Sequence, residues 1–233
     1  MLIGGLQKTT LIDYPGKVAA TVFTLGCNFN CPFCHNPELV DRKKIKEQPV
    51  IEEKVFFDFL ESRRGLLEAI CITGGEPTIH SDLINFIGKI KEKGFLVKLD
   101  TNGGRPKVLS ELFQKNLIDF TAMDIKSSPA KYCQAIGGQI KQQSILESIN
   151  LIKNSKKGYE FRTTVVPGLV DKEDIKKIGQ LLNGAKSFVL QQFEIGKNLN
   201  DLWRGVKLYS EGELNEMAEI ARQYSRQVEV RGT

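Results

Sequence analysis

Three cysteines stand within eight residues near the start of the chain: Cys27, Cys31 and Cys34, in LGCNFNCPFCHN, spaced C-x3-C-x2-C. Iron–sulfur clusters are held by cysteine thiolates. Three thiolates on one short loop can hold three irons of a cubane and leave the fourth without a protein ligand. An open coordination site of that kind is where chemistry can occur. The same residues have two other readings. With His35 they could form a structural zinc site of the Cys3His type. But His35 follows Cys34 directly, zinc knuckles present their ligands as two separated pairs, and the sequence has no second pair. Disulfides are the poorer reading, because five cysteines are an odd number and the opening residues do not read as a secretory signal.

Other polar motifs follow apolar runs. In Thr73-Gly74-Gly75-Glu76-Pro77 the two glycines let backbone approach a ligand closely, since neither carries a Cβ. Glu76 can accept from a ligand's ammonium group or brace the turn. LDTNG supplies Asp100 and Asn102, and MDIK supplies Asp124 and Lys126. Lys126, a point charge with three donors, suits a carboxylate. Asp100 and Asp124 could together bind a cation or hold Lys126 in place. Arg162 lies inside the apolar run EFRTTVV, where an unpartnered buried charge is expensive. It therefore faces either a barrel mouth with a carboxylate partner, or solvent. The structural alternative for all four charged residues is a set of ion pairs closing that mouth.

These motifs need a frame that brings loop ends together. Candidate strands are 18–25, 68–73, 95–101, 119–125, 160–166, 187–193 and 227–231, each a short apolar run. Amphipathic segments alternate with them. Segment 51–64 is expected to bury Val55, Phe56, Phe59 and Leu60, and 81–93 to bury Leu83, Phe86, Ile87 and Ile90, with Ser81 as N-cap and Gly94 as stop. Further helices are expected at 105–116, 141–155, 171–183 and 210–224. Alternation of this kind reads as βα units around a parallel sheet. About six units in 233 residues are too few for a closed eight-unit barrel, so an α/β fold with a partial, open TIM-like barrel is expected. Residues 1–233 read as one domain, with the cysteine loop at 26–36. No repeat or linker divides it.

Composition narrows the class. Hydrophobic residues are 41% and charged residues 26%, ordinary for a globular protein. The net charge is mild at +5, and the basic runs are short or mixed, so nucleic acid is not an expected partner. No apolar stretch approaches about 18 residues, which argues against a membrane span. Unpaired thiols point to a reducing cytoplasm.

The C-x3-C-x2-C loop, with the aromatic Phe33 just before its last cysteine, resembles the signature of the radical S-adenosylmethionine superfamily. Together with the opening GLQKTTLIDYPGKVAATVFTLGCNFNCPFCHNPELV, the motifs GGEP, LDTNG, MDIK and RTTVVPG resemble a glycyl-radical-enzyme activating protein. The likeness is greatest to the anaerobic ribonucleoside-triphosphate reductase activating proteins without a ferredoxin insert, and runs from about Gly4 to Phe193. It implies a 4Fe-4S cluster on Cys27, Cys31 and Cys34, with S-adenosyl-L-methionine held by Gly74, Gly75, Glu76, Asp100, Asn102, Lys126 and Arg162, and His35 packed near the cofactor. It implies reductive cleavage of that cofactor and hydrogen abstraction from a glycine of a partner glycyl radical enzyme. It also implies a flavodoxin or ferredoxin-type electron donor.

Pyruvate formate-lyase activators carry Tyr-His near the end of the sixth expected strand. Here the run is Leu190-Gln191-Gln192-Phe193-Glu194, which leaves Gln192 for the ribose. Alternatives are an activator of another glycyl radical enzyme such as pyruvate formate-lyase, a radical enzyme on a small molecule, and a zinc-binding interaction module. Cys71 reads as a core residue and Cys133 as a loop residue, neither an iron ligand. The segment 194–233, with Trp203, is read as a docking surface or the last barrel closure.

Overall fold

Parallel neighbours cannot be joined by a tight turn and need a crossover, and crossovers dominate this chain. The computed structural model describes residues 1–196 and 205–232, so Trp203 lies outside the described residues. Its strands are β1 (Ile3–Thr10), β2 (Ala19–Thr24), β3 (Ala69–Gly74), β4 (Leu96–Thr101), β5 (Phe120–Asp124), β6 (Gly158–Val165), β7 (Ala185–Gln192) and β8 (Ser225–Arg231). The helices are α1 (Pro37–Val40), α2 (Arg42–Ile45), α3 (Glu53–Ser62), α4 (Leu83–Glu92), α5 (Pro106–Gln114), α6 (Tyr132–Ala135), α7 (Gln142–Asn154), α8 (Lys172–Leu182) and α9 (Glu211–Arg222). Strand order along the sheet follows chain order. β1 pairs antiparallel with β2, while β2–β3, β3–β4, β6–β7 and β7–β8 are parallel. This is an α/β fold with an open, mostly parallel sheet, as the alternating pattern predicts.

The chain divides into two compact units. The first comprises Met1–Asn28, Glu38–Thr101 and Lys107–Thr121. Its core stacks Phe56 of α3 on Phe86 of α4 at 5.1 Å, with Leu60, Ile70, Ile72, Leu83, Ile87 and Ile90 fully buried. The second comprises Phe29–Pro37, Asn102–Pro106 and Ala122–Thr233. There Phe161, Phe188, Ile175, Ile178 and Leu182 are buried, and α8 and α9 each open with a capping box, Asp171/Asp174 and Ser210/Glu213.

Three local expectations fail for identifiable reasons. β1 is missing from the expected strands. As an antiparallel edge strand reading IGGLQKTT it is part exposed and lacks the apolar run of its neighbours. Ser81 does not cap α4. A single 3-10 turn over Pro77–Ile79, capped by the Glu76 side chain, occupies the approach, and Asp82 becomes the N-cap without a side-chain hydrogen bond. Val55 is 54% exposed, because the inward stripe of α3 runs through Phe56 and Leu60. By contrast, all four apolar residues expected inside α4 are buried, and Gly94 follows its end at φ +87°. No helix among the described residues is long and apolar enough to cross a membrane.

Candidate active site

The first unit holds the entry to the cysteine loop and the glycine turn. The N–H of Gly75 donates to the Thr24 carbonyl at 2.8 Å, and the N–H of Glu76 donates to the Gly26 carbonyl at 2.8 Å. A Cβ on Gly75 would lie 1.9 Å from the Gly26 carbonyl oxygen, and one on Gly74 would lie 2.3 Å from the Thr24 nitrogen. The close approach that the glycines allow is therefore first of all an approach to the chain itself. The turn clasps the residues that lead into Cys27. Glu76 is buried and braces that turn. Its Oε1 accepts from the Thr78 N–H at 3.1 Å, from the Thr78 hydroxyl, and from the Thr101 hydroxyl at the end of β4 at 2.8 Å. Asp100, also on β4, takes a charged hydrogen bond from buried Lys98, and both lie 3.8 Å from the buried Cys71 sulfur.

The second unit gathers most of the other predicted residues. Cys31 and Cys34 are joined by a backbone hydrogen bond, Cys34 N–H to the Cys31 carbonyl, at 3.0 Å. Cys31 and Phe33 are buried, and His35 is exposed but sets its ring edge-on to buried Phe193 at 5.6 Å. Asn102 forms an Asx turn, its Oδ1 accepting from the Gly104 N–H at 2.8 Å ahead of α5.

Asp124 sits between two cations. Lys126 donates to its Oδ2 at 2.9 Å, and Arg162 donates through Nε to its Oδ1 at 2.8 Å. Of the two orientations open to Arg162, the structure takes the one with a carboxylate partner. Burial pushes the Asp124 carboxyl up, but Arg162 and Lys126 overcome it and hold that carboxyl well below the usual range. For Lys126, burial works against the charge, and Asp124 and Cys31 more than restore it. Burial pushes the Cys31 thiol up to about 11, with Lys126 opposing the rise.

The chain of charge continues. Arg162 lies 3.9 Å from Glu160, which receives two hydrogen bonds from Arg231 of β8, at 2.9 and 3.3 Å. Glu160 and Arg231 carry no motif. Their signal in the sequence is the spacing of opposite charges two apart in an apolar strand, which puts both on one face. Gln192, at the end of β7, donates from Nε2 to the Tyr209 carbonyl at 2.7 Å, while its buried Oε1 has no hydrogen-bond partner. Among the described residues no group of three or more His, Cys, Asp or Glu side chains is gathered closely enough to hold a metal ion.

Residues 21–182 match the family model described as the radical SAM superfamily. The chain belongs to the radical SAM superfamily. Enzymes of this superfamily use a 4Fe-4S cluster and S-adenosylmethionine, and this chain is one of them. Among its relatives is a Methanocaldococcus jannaschii protein provisionally named a glycyl-radical-enzyme activating enzyme. It is 37% identical, with 99% of this chain and 95% of that protein covered. The pyruvate formate-lyase-activating enzyme of Streptococcus mutans is 30% identical over 83% of this chain and 76% of its own.

Among solved structures, SuiB of Streptococcus suis bound to its precursor peptide SuiA matches with a TM-score of 0.68 at 14% identity. The match covers 91% of this chain and 48% of that one. TYW1 with a lysine-pyruvate adduct matches at 0.61 and 20% identity, over 89% and 74%. Both likenesses show the fold alone.

Three features of this radical SAM chain bear on the two groups the family uses. Three thiols stand at cluster spacing, a lysine favours the thiolate of one of them, and Gln192 presents a buried acceptor with nothing to accept.

Proposed function

We propose that this chain generates a glycyl radical on a partner enzyme by reductive cleavage of S-adenosylmethionine, and that the partner is an anaerobic ribonucleoside-triphosphate reductase. The observation that carries the first part is the 37% identity, over nearly the whole chain, to a protein named for glycyl-radical-enzyme activation. The choice of partner is supported by the opening segment through Val40, which resembles the short reductase activators. Gln192 supports it too, standing where pyruvate formate-lyase activators have histidine.

In this reading Cys27, Cys31 and Cys34 hold the cluster, which when bound and reduced supplies the electron that breaks the cofactor's sulfonium C–S bond. Lys126 and Arg162 offer cationic donors to the methionine carboxylate, and Asp124 keeps both charged and fixes their heads. The carbonyls of the Gly74-Gly75 turn serve the methionine ammonium group. Gln192 Oε1 accepts from a ribose hydroxyl, a donor that its burial otherwise denies it. Asp100 and Asn102 shape the neighbouring strand end, and Phe33 and His35 wall the cysteine loop. The electron donor is a flavodoxin or ferredoxin-type protein.

The test is anaerobic. The reconstituted, dithionite-reduced protein is given S-adenosylmethionine and assayed for 5′-deoxyadenosine. It is then mixed with an anaerobic ribonucleotide reductase and examined by electron paramagnetic resonance for a glycyl radical. Product that disappears in Cys27→Ala, with a radical on the reductase, supports the whole reading. Product with a radical on pyruvate formate-lyase alone moves the partner. Zinc in place of iron, and no product, overturns it.

A further inference from the structure

Cys71 and Lys98 stand side by side on the parallel pair β3–β4. Period-two spacing puts Asp100 on the same face of β4 as Lys98. The three side chains meet there. The Cys71 thiol donates to Asp100 Oδ1 at 3.8 Å, Lys98 Nζ donates to the same sulfur at 3.8 Å, and Lys98 closes the triangle with an ion pair to Asp100 Oδ1. Cys71 is 1% exposed and Lys98 2%. One step down the two strands the face turns apolar, where Ala69, Leu96 and Phe120 pack with Tyr14. One step up, Asp100 keeps 13% of its side chain exposed, so small solutes reach the triangle from that side.

Packing alone gives little reason for this set. A buried ion pair adds little stability over apolar side chains of like volume, and Cys71 is a free thiol with no part in the proposed reaction. What the set does have is a matched reactivity. The thiolate is the form that oxidants attack, and a lysine beside the sulfur favours it. Asp100 stands ready to take the thiol's proton. A sulfenic acid condenses with a nucleophile held against it, a thiol or a nitrogen, and at Cys71 the nitrogen of Lys98 is held against the sulfur. The flexible four-carbon stem of lysine lets that nitrogen close the remaining distance.

We propose that Cys71 and Lys98 form an oxidation-dependent covalent link, a sulfenamide between Sγ and Nζ, with hydrogen peroxide as the oxidant. One peroxide takes two electrons from the Cys71 sulfur; its O–O bond breaks, giving a sulfenic acid and one water. Lys98 gives a proton to Asp100 and attacks that sulfur with its lone pair. The S–N bond forms, the S–O bond breaks, and the departing hydroxide leaves with a second proton of the amine as another water. One peroxide is consumed, and two waters and one proton are released. The link ties β3 to β4 and takes the lysine's charge from beside Asp100. It needs neither the cluster nor S-adenosylmethionine, so it stands apart from the proposed function.

The experiment treats the full chain, freed of iron with a chelator, with a small excess of hydrogen peroxide. The protein is then digested and mapped by mass spectrometry. The expected product is a joined pair of peptides, one containing Cys71 and the other Lys98, lighter than their sum by about 2 Da and about tenfold more abundant than in untreated protein. A phosphine, which takes up oxygen from water as it restores thiol and amine, is expected to separate them. Lys98→Arg keeps a cation but offers no nucleophilic nitrogen, so its Cys71 is expected to go on to the sulfinic acid. The wild-type chain decides even where that variant does not fold. Cys71 recovered as a thiol while Cys133 is oxidised overturns the proposal, and so does Cys71 found as sulfinic acid or in a disulfide with no link to Lys98. A joined pair that retains an oxygen overturns the condensation step. None of these outcomes touches the proposed function, which fails only by its own assay.

Discussion

At Asp124 the carboxylate is worth more as a spacer between charges than as a charge of its own. It holds Lys126 and Arg162 within hydrogen-bonding reach, and without it the two cations would face one another with their shared counter-charge gone. Asp124→Asn keeps the shape and removes the charge. Because the site is partly open to solvent, the expected loss is moderate, about 2 kcal/mol of folding stability by denaturant titration, with weaker S-adenosylmethionine binding. The five cysteines separate in the same residue-by-residue way. Cys71 is buried against Lys98 and Asp100, and Cys133 lies within 3.5 Å of the Gln139 side-chain oxygen, whereas Cys31 and Cys34 share the loop. Cys31→Ser is expected to abolish iron–sulfur absorbance on reconstitution, and Cys133→Ser to keep it. Full cluster in Cys31→Ser would remove the ligand assignment.

The glycine turn after β3 shows how an element can be built for its neighbour. Its backbone is pinned to Thr24 and Gly26, and there is no room for a methyl group at residue 75. The obstructing atom is a backbone oxygen, which cannot swing aside as a side-chain tip can. Gly75→Ala is therefore expected to cost about 3 kcal/mol or more in urea unfolding, at the upper end of overpacking effects. A loss below about 1 kcal/mol would mean the turn is softer than described. GGEP was legible in the sequence as a close backbone approach, but its immediate partner was not, because that partner lies about fifty residues away across a parallel strand pair. The strands themselves were legible through their apolar runs, and α4 through its stripe. β1 was not, since an edge strand need not be apolar. Of the opposite charges two apart, the hold of Asp124 on Lys126 was expected, while the pairs Lys98/Asp100, Glu160/Arg162 and Glu229/Arg231 were not, although every member was in plain view. Period-two spacing puts the pairs within β4, β6 and β8 each on one strand face, but only the fold shows that Arg231 of β8 reaches Glu160 of β6.

For the molecule as a whole, the balance of charge predicts how stability follows pH. Several surface carboxylates, among them Glu53, Glu61 and Glu68, are held below their ordinary range chiefly by hydrogen bonds from lysines, so their contribution is lost only in acid, below about pH 5. Between pH 7 and that limit the two histidines are the groups left to titrate. Burial lowers the pKa of both, against Asp82 at His80 and against Glu194 at His35. His80 is the stronger case, because its Nε2 is buried with no hydrogen-bond partner, whereas His35 is exposed and water screens its surroundings. A histidine whose folded pKa lies below its unfolded value of about 6.5 takes up its proton more readily in the unfolded chain. Stability from that source is complete above pH 6.5 and is lost as pH falls through the folded value. Unfolding free energy is therefore expected to decline from pH 7 to pH 5.5. His80→Gln, which stays neutral throughout, is expected to flatten the decline, and His35→Gln to change it less. Chemical denaturation of the three proteins at half-unit steps of pH measures this directly. A wild-type profile level across that range, or one that His80→Gln leaves unchanged, would show that the imidazole at residue 80 finds room to protonate in the folded state.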